Sequence, residues 1–185
     1  MYKHSIIATI LLAVAAGNAV AAEVTRVYVD DLDLAELKIE SPRSGGSIRS
    51  RDFELTADER ADIATMYKDA VEDAIGGSKS YEIVEDADGA EVVIQADLLN
   101  IRPTAPKDDF RSRNAMETYY TEGAGRATIR FEISDNDELS KVFESSRDAG
   151  SFWRENDRFS NTQDVKRLFR SWGGYLVKKL DKIDS

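Results

Sequence analysis

The nine residues RATIRFEIS, at positions 126–134, constrain the fold of this chain more than any other segment. Their apolar members Ala127, Ile129, Phe131 and Ile133 alternate with polar residues, which is the pattern of a β-strand with one buried and one solvated face. A sheet that contains this strand offers a single apolar surface. Amphipathic helices in the same domain are therefore expected to pack together on that one surface.

The first segment with a helical pattern spans residues 55–77. Its apolar residues recur at three- and four-residue steps, and Thr56 and Glu59 form a capping box at its start. The glycine pair Gly76-Gly77 is typical of a helix end. These signals predict an amphipathic helix.

A second helix is predicted from about residue 162 to residue 183, where apolar residues again repeat at helical spacing. Ser160 and Gln163 are placed to cap its start. The pair Gly173-Gly174 lies inside it, where each glycine costs about 1 kcal/mol relative to alanine. We therefore expect a close contact with another element at these glycines.

The remaining apolar segments are typical of strands. Residues 90–101 are apolar on both faces, which favours a central strand. Further strands are predicted at 24–32, 81–85 and 139–148, and the polar link 135–138 predicts a hairpin. The predicted fold class is α+β: two layers, with an antiparallel-rich sheet of four to five strands and two amphipathic helices packed on one face.

The N-terminal region has the features of a secretory leader. The apolar run Ile6–Ala16 is too short for a membrane-spanning helix, which needs about 20 residues. Small residues follow and favour cleavage after Ala21 or Ala22. Residues 1–22 are thus predicted to be a cleaved signal peptide and residues 23–185 a single domain, periplasmic or secreted, with no stable membrane anchor.

The composition disfavours several classes of function. The formal net charge of −10 disfavours nucleic-acid binding, which depends on neutralising phosphates with Lys and Arg. Cysteine is absent, and the single histidine, His4, lies in the predicted leader. Ser-His-Asp triads, cysteine nucleophiles and zinc sites built from His or Cys therefore do not fit the mature chain. No catalytic, cofactor-binding or metal-binding residue is predicted.

Two acidic segments are candidates for a catalytic or metal-binding site. The run DDLD at 30–33 is the nearest to a catalytic carboxylate group, and we interpret it as a solvated strand end. Residues 135–146 begin like a calcium loop, but Ser140 stands where the loop needs Gly and Ser146 where it needs a bidentate Glu. A hairpin explains the second segment better.

Two further segments are candidates for contact with a partner. Residues 103–125 form a long connection, and residues 151–159 combine aromatic residues with arginine, the types that anchor protein interfaces. Their alternative role is to close the edges of the core, since large apolar residues are usually buried. The candidate contact residues are Arg111, Arg113, Tyr119, Tyr120, Trp153, Arg154 and Arg158.

The order of four segments resembles one family. Four segments follow one another along the chain: YVDDLDL, LTADERADIATMYKDAVEDAI, YEIVEDADGAEVVIQADLLNIRPTAP and AGRATIRFEISDNDELSKVFESSRDAG. In their order the chain is similar to bacterial envelope proteins grouped as domain of unknown function 3313. Those relatives often carry a lipidated cysteine, which this chain lacks. The resemblance implies an extracytoplasmic α+β domain and brings no catalytic residue.

We therefore expect an exported, non-catalytic binding or envelope-assembly accessory module that contacts another envelope protein. Two alternatives stay open: a carboxylate-dependent hydrolase, and a carrier of a small ligand held between the helices and the sheet. The sequence leaves the oligomeric state undetermined.

Overall fold

The computed structural model describes residues 24–40, 54–104, 120–122, 124–136, 138–150, 153–155 and 158–183. Its strands and helices, in chain order, are β1 (Thr25–Asp33), β2 (Lys38–Ile39), α1 (Ala57–Gly76), β3 (Tyr81–Ile83), β4 (Val92–Pro103), β5 (Tyr120–Glu122), β6 (Gly125–Asp135), β7 (Glu138–Ala149), β8 (Trp153–Glu155) and α2 (Arg158–Leu180). All five predicted strand segments form strands, and their ends differ from the predicted ones by no more than two residues.

The main sheet has six strands, in the order β3-β1-β4-β6-β7, and β2 pairs with β4. β1 is parallel to β3 and to β4, because the helical crossover through α1 returns the chain in the same direction. The long pairs β4–β6 and β6–β7 are antiparallel. The α+β fold class is confirmed, with a mixed sheet.

The central position predicted for residues 90–101 is confirmed by β4, which lies between β1 and β6. Val92, Ile94, Ala96 and Leu98 of β4 are all buried on the face toward the helices. This strand therefore forms the floor of the core.

The hairpin predicted at 135–138 joins β6 to β7, and Asp135 pairs with Glu138 at its closed end. Asn136 has a φ of 46°, the left-handed conformation that two-residue hairpin turns require and that Asn tolerates. The calcium-loop alternative is thus replaced by a tight turn between paired strands.

The capping box predicted for α1 is present. The Glu59 backbone N–H donates to the Thr56 hydroxyl at 3.2 Å, and the Thr56 N–H donates to the Glu59 carboxylate at 2.7 Å. The start predicted for the second helix is wrong, since α2 already begins at Arg158. Ser160 and Gln163 lie inside the helix, whose first turns lack the apolar repeat on which the prediction depended.

The two helices lie side by side on the same face of the sheet and run in the same direction. The rings of Tyr67 and Phe169 meet edge to face at 5.8 Å, and further along Gly173 approaches Ala74 closely. A Cβ placed on Gly173 would lie 2.8 Å from the Ala74 Cβ, whereas one on Gly174 would meet nothing within 4 Å. The predicted close packing is confirmed at Gly173.

The core lies between the helices and the sheet. Its largest fully buried side chains come from both layers, among them Trp172, Tyr67, Phe131 and Phe169. Among the described residues, no helix combines the length and the apolar character needed to cross a bilayer.

Candidate functional site

An apolar cavity of about 60 Å³ lies at one end of the domain, between the two helices and the sheet. It is partly open to the surface, and its walls are almost entirely apolar. The helices contribute Ile63, Val165, Leu168, Phe169 and Trp172, and the sheet contributes Leu98, Ile101, Ala124, Gly125, Arg126, Ala127 and Ala149. Its volume is well below the roughly 150 Å³ that holds a benzene ring, so it suits a few methyl or methylene groups.

The cavity exists because small residues meet at this end of the sheet. Ala124 precedes β6, Gly125 and Ala127 begin it, and Ala149 ends β7. Backbone pairing of Gly125 with Ala149 brings these residues together, although they are far apart in sequence. The side chains of these residues are therefore too small to fill the space between the sheet and the helices above it.

A buried carboxylate lies next to this cavity. Asp164 is 1 % exposed, and its carboxyl group lies directly over Gly150. A Cβ on Gly150 would come within 2.6 Å of the Asp164 Cγ, and Gly150 also has a φ of 89°. The Arg167 guanidinium is 3.7 Å from the same carboxylate. The glycine is thus required by its conformation and by the charged group above it.

The edge of the domain beside α2 is built from cations and aromatic rings. The Trp172 indole N–H donates to the Ser145 hydroxyl at 3.0 Å and joins α2 to β7. The Arg147 guanidinium lies 5.3 Å from the Tyr175 ring centre, and the Lys179 ammonium lies 4.8 Å from the same ring. These contacts fix the edge strand to the helix by cation–π attraction.

The candidate contact residues fall into two groups. Arg111, Arg113 and Tyr119 lie outside the described residues, as do the cleavage positions Ala21 and Ala22. The remaining candidates lie in elements whose backbone is described: Tyr120 in β5, Trp153 and Arg154 in β8, and Arg158 at the first position of α2.

The structure joins the backbones of the two candidate segments. β5 and β8 form a separate two-stranded antiparallel sheet, in which Tyr120 pairs with Glu155 and Thr121 with Arg154. The sequence analysis did not predict these two strands, because strands of three residues are too short to show an alternating pattern. The role of these residues in partner contact stays a prediction.

The acidic run 30–33 belongs to the end of β1 and makes structural contacts. Asp31 accepts a hydrogen bond from the Lys68 ammonium at 2.9 Å, which raises the pKa of Lys68. Asp30 accepts from the Gln95 amide, and Asp33 accepts from the Ala35 N–H. The carboxylate of Asp31 is 80 % exposed, so it lacks the burial that tunes catalytic acids.

The described residues contain no group of three or more His, Cys, Asp or Glu side chains arranged to hold a metal ion.

The sequence comparison fits this architecture. A model of a family of proteins of unknown function, DUF3313, matches residues 13–176. The chain belongs to the DUF3313 family. No curated protein matches this DUF3313 chain.

Several solved structures are similar to this DUF3313 chain at low identity. A hypothetical protein from Chlamydia trachomatis is 14 % identical, with a TM-score of 0.41, over 80 % of this chain and 92 % of that one. A DUF330 protein from Xanthomonas campestris is 12 % identical, with a TM-score of 0.48, over 86 % of each chain. PelC from Paraburkholderia phytofirmans, solved as a dodecamer, is 14 % identical, with a TM-score of 0.40, over 83 % of this chain and 89 % of that one.

Two further features of the domain were missed by the sequence analysis. The small residues around the cavity carry a signal only when the pairing of β6 with β7 is known. The second feature is the charge on the helices: α1 carries six acidic and two basic residues, whereas α2 carries six basic residues and one acidic residue. Counting charge by element rather than over the whole chain would have revealed this second feature.

Proposed function

We propose that the protein is an exported, non-catalytic binding module of the bacterial envelope. Its contact region is the end of the domain that carries the cavity and the β5–β8 sheet. The observation that carries this proposal is the partly open cavity, whose walls are apolar and which no catalytic group lines. Family membership supports a place in the envelope only through the resemblance described above, and the predicted leader supports export.

The β5–β8 sheet strengthens the assignment of the contact region. Along the chain, β5 comes just before the start of β6 and β8 just after the end of β7, and both of those strand ends contribute residues to the cavity wall. Segments that connect the elements of a rigid scaffold are where binding residues are over-represented. The aromatic and arginine residues at Tyr120, Trp153 and Arg154 are of the types that anchor interfaces.

In-cell photo-crosslinking tests this proposal. A photoreactive phenylalanine analogue replaces Tyr120 or Trp153, and a control chain carries it at Leu139. Leu139 is 61 % exposed and lies at the hairpin, the opposite end of β7. We expect a defined crosslink to another envelope protein from positions 120 and 153 and none from 139. Crosslinks of equal strength from all three positions, or none from the first two, would contradict the proposed contact region.

A second candidate function, carriage of a small apolar ligand, is favoured by the cavity alone. Ala127→Leu places three more carbon atoms on a residue that lines the cavity, and Ala61→Leu makes the same change on the exposed face of α1. Titration with a short-chain fatty acid, followed by calorimetry, is expected to show binding to the wild type and to Ala61→Leu but not to Ala127→Leu. Equal binding by both variants would place the ligand elsewhere.

A further inference from the structure

The two helices present opposite charge to solvent. On α1, four aspartates share the exposed face at four- and seven-residue spacings: Asp58, Asp62, Asp69 and Asp73. The two basic residues of α1 are turned toward its own strand side, since Lys68 binds Asp31 and the Arg60 guanidinium donates to the Leu34 carbonyl. Within the described part of the chain, no ion pair neutralises the four aspartates.

The exposed face of α2 and of the turn that follows it is basic. Lys166, Arg170, Lys178 and Lys182 follow one another at multiples of four residues, and all four are exposed. Across the described ranges, none of these four makes an ion pair. In a chain of net charge −10, this is a local reversal of sign.

The two charged rows are alike in length and spacing, and they overlap along the helix axis over part of their length, since Tyr67 lies beside Phe169 and Ala74 beside Gly173. At a rise of about 1.5 Å per residue, the acidic row spans about 22 Å and the basic row about 24 Å. Each row is interrupted near its middle by a small uncharged residue, Thr65 on α1 and Gly174 on α2. A helix that carries one row is therefore complementary in charge to a helix that carries the other.

The arrangement of the helices allows this complementarity to be used twice. α1 and α2 lie side by side on one sheet face and run in the same direction, so a two-fold axis parallel to them relates two facing copies. That rotation places α1 of each copy opposite α2 of the other, with both helices again parallel. An interface of this kind is isologous and closes as a dimer.

We propose that the outer face of α1 and α2 is an interface between two copies of this chain, held by the acidic row of each copy against the basic row of the other. The partner is a second copy because both halves of the complementary pair lie on the same surface of one chain. Binding through exposed charges weakens as salt screens them.

Sedimentation equilibrium of the purified protein at 20 and 500 mM salt tests the first consequence. We expect a dimer at low salt and a dissociation constant that rises about tenfold or more at high salt, because the Debye length falls well below the size of the interface. A monomer at 20 mM salt and 100 μM protein would overturn the proposal, as would a dimer that is insensitive to salt.

Charge reversal tests the pairing itself. Asp62→Lys with Asp69→Lys cancels the net charge of the acidic row, and Arg170→Glu with Lys178→Glu cancels that of the basic row, so each variant alone is expected to be monomeric. In a mixture, the unchanged basic row of the first variant faces the unchanged acidic row of the second, and a one-to-one heterodimer is expected. The control carries Glu82→Lys and Glu85→Lys, two exposed positions in or just after the edge strand β3 and outside both charged rows. It is expected to dimerise like the wild type.

Two outcomes of the mixing experiment contradict the proposal. Either a mixture that stays monomeric, or single variants that dimerise as well as the wild type, shows that the rows do not face each other. The first of these outcomes would instead favour a monomer whose α2 binds an anionic protein. Circular dichroism confirms that each variant is folded, and the single reversals Asp69→Lys and Lys178→Glu replace any pair that is not.

Discussion

The two ends of the helix-on-sheet layer differ in how they are filled. Toward the hairpin, β6 contributes Ile129, Phe131 and Ile133, each fully buried. Toward the other end, the same face of the same strand contributes Ala127 and then Gly125, and the cavity lies above them. The volume of the side chains therefore decides which end is closed, because the helices lie over both.

The contrast separates two kinds of constraint. At the hairpin end, the constraint is volume, since large side chains have to interlock. At the cavity end, the constraint is the backbone: Gly125 and Gly150 have φ values of 140° and 89°, in the region that favours glycine. A Cβ on Gly125 would also lie 2.8 Å from the Pro103 Cα. The largest side chains of β6 are thus buried at one end, and the cavity lies at the other.

The largest expected effect is at the filled end. Phe131 is fully buried, and its ring packs against the rings of Phe143 at 5.4 Å and Trp172 at 6.5 Å. Phe131→Ala removes these contacts and leaves a void, so the free energy of unfolding is expected to fall by about 3–5 kcal/mol. Urea denaturation measures the change. Val142→Ala, on the neighbouring strand and 48 % exposed, serves as the control and is expected to change stability by less than about 0.5 kcal/mol.

A loss below about 1 kcal/mol for Phe131→Ala would break the comparison, because the filled end would then be able to collapse around a missing ring.

The next effect is expected at the cavity end. Gly150→Ala forces an alanine into a positive φ and pushes its Cβ against the buried Asp164 carboxyl group. Strain of this kind costs about 1–3 kcal/mol, and the displaced carboxylate adds to it. Gly89→Ala is the control, since a Cβ there meets nothing within 4 Å and the φ is not positive. Thermal unfolding measures the change in Tm. An equal decrease in Tm for both variants would show that the backbone at Gly150 is not specially constrained.

The sequence analysis succeeded at one end and failed at the other for a physical reason. Alternation in 126–134 identified the buried residues of β6 directly, because a strand pattern is local. The cavity depends on the pairing of Gly125 with Ala149 and on a helix that crosses above both. That juxtaposition is non-local, so no pattern within a single segment could reveal it. The pairing of β5 with β8 is also non-local, and each strand has only three residues, too few to show an alternating pattern.

A smaller effect is expected at the contact between the helices, midway between the two ends. Gly173→Ala places a Cβ 2.8 Å from the Ala74 Cβ and 2.9 Å from the Ala70 carbonyl oxygen, so the helices have to separate. We expect a loss of about 1–3 kcal/mol from this overpacking. Gly174→Ala is the matched control: it faces open space inside the same helix and is expected to stabilise the protein by about 0.5–1 kcal/mol.

Opposite signs for adjacent glycines are the decisive result, measured as the difference in midpoint of urea unfolding. Two variants that both stabilise the protein would show that the helices can separate at no cost and that the two ends of the domain are not held at a fixed spacing.

The smallest effect is expected at the Tyr67 hydroxyl group, and it tests whether that buried group makes a hydrogen bond. Tyr67 is fully buried beside Phe169, and within the described structure its hydroxyl group has no hydrogen-bond partner. A buried polar group of this kind costs about 1–3 kcal/mol in desolvation. Tyr67→Phe removes the hydroxyl and keeps the ring, so stability at pH 7 is expected to be unchanged or to rise by up to about 1 kcal/mol. A clear loss of stability would show that the hydroxyl makes a favourable hydrogen bond.

The same variant has a second signature at alkaline pH. Burial, and then the carboxylates of Asp30 and Asp97, raise the pKa of the Tyr67 hydroxyl well above its usual range. The unfolded tyrosine ionises near pH 10, whereas the folded one stays protonated, so unfolding becomes easier as the pH rises above about 10. Unfolding at pH 8 and pH 10.5 is expected to show a smaller loss of stability in Tyr67→Phe than in the wild type. Identical pH profiles for the two proteins would show that Tyr67 ionises without unfolding and that water reaches its hydroxyl group.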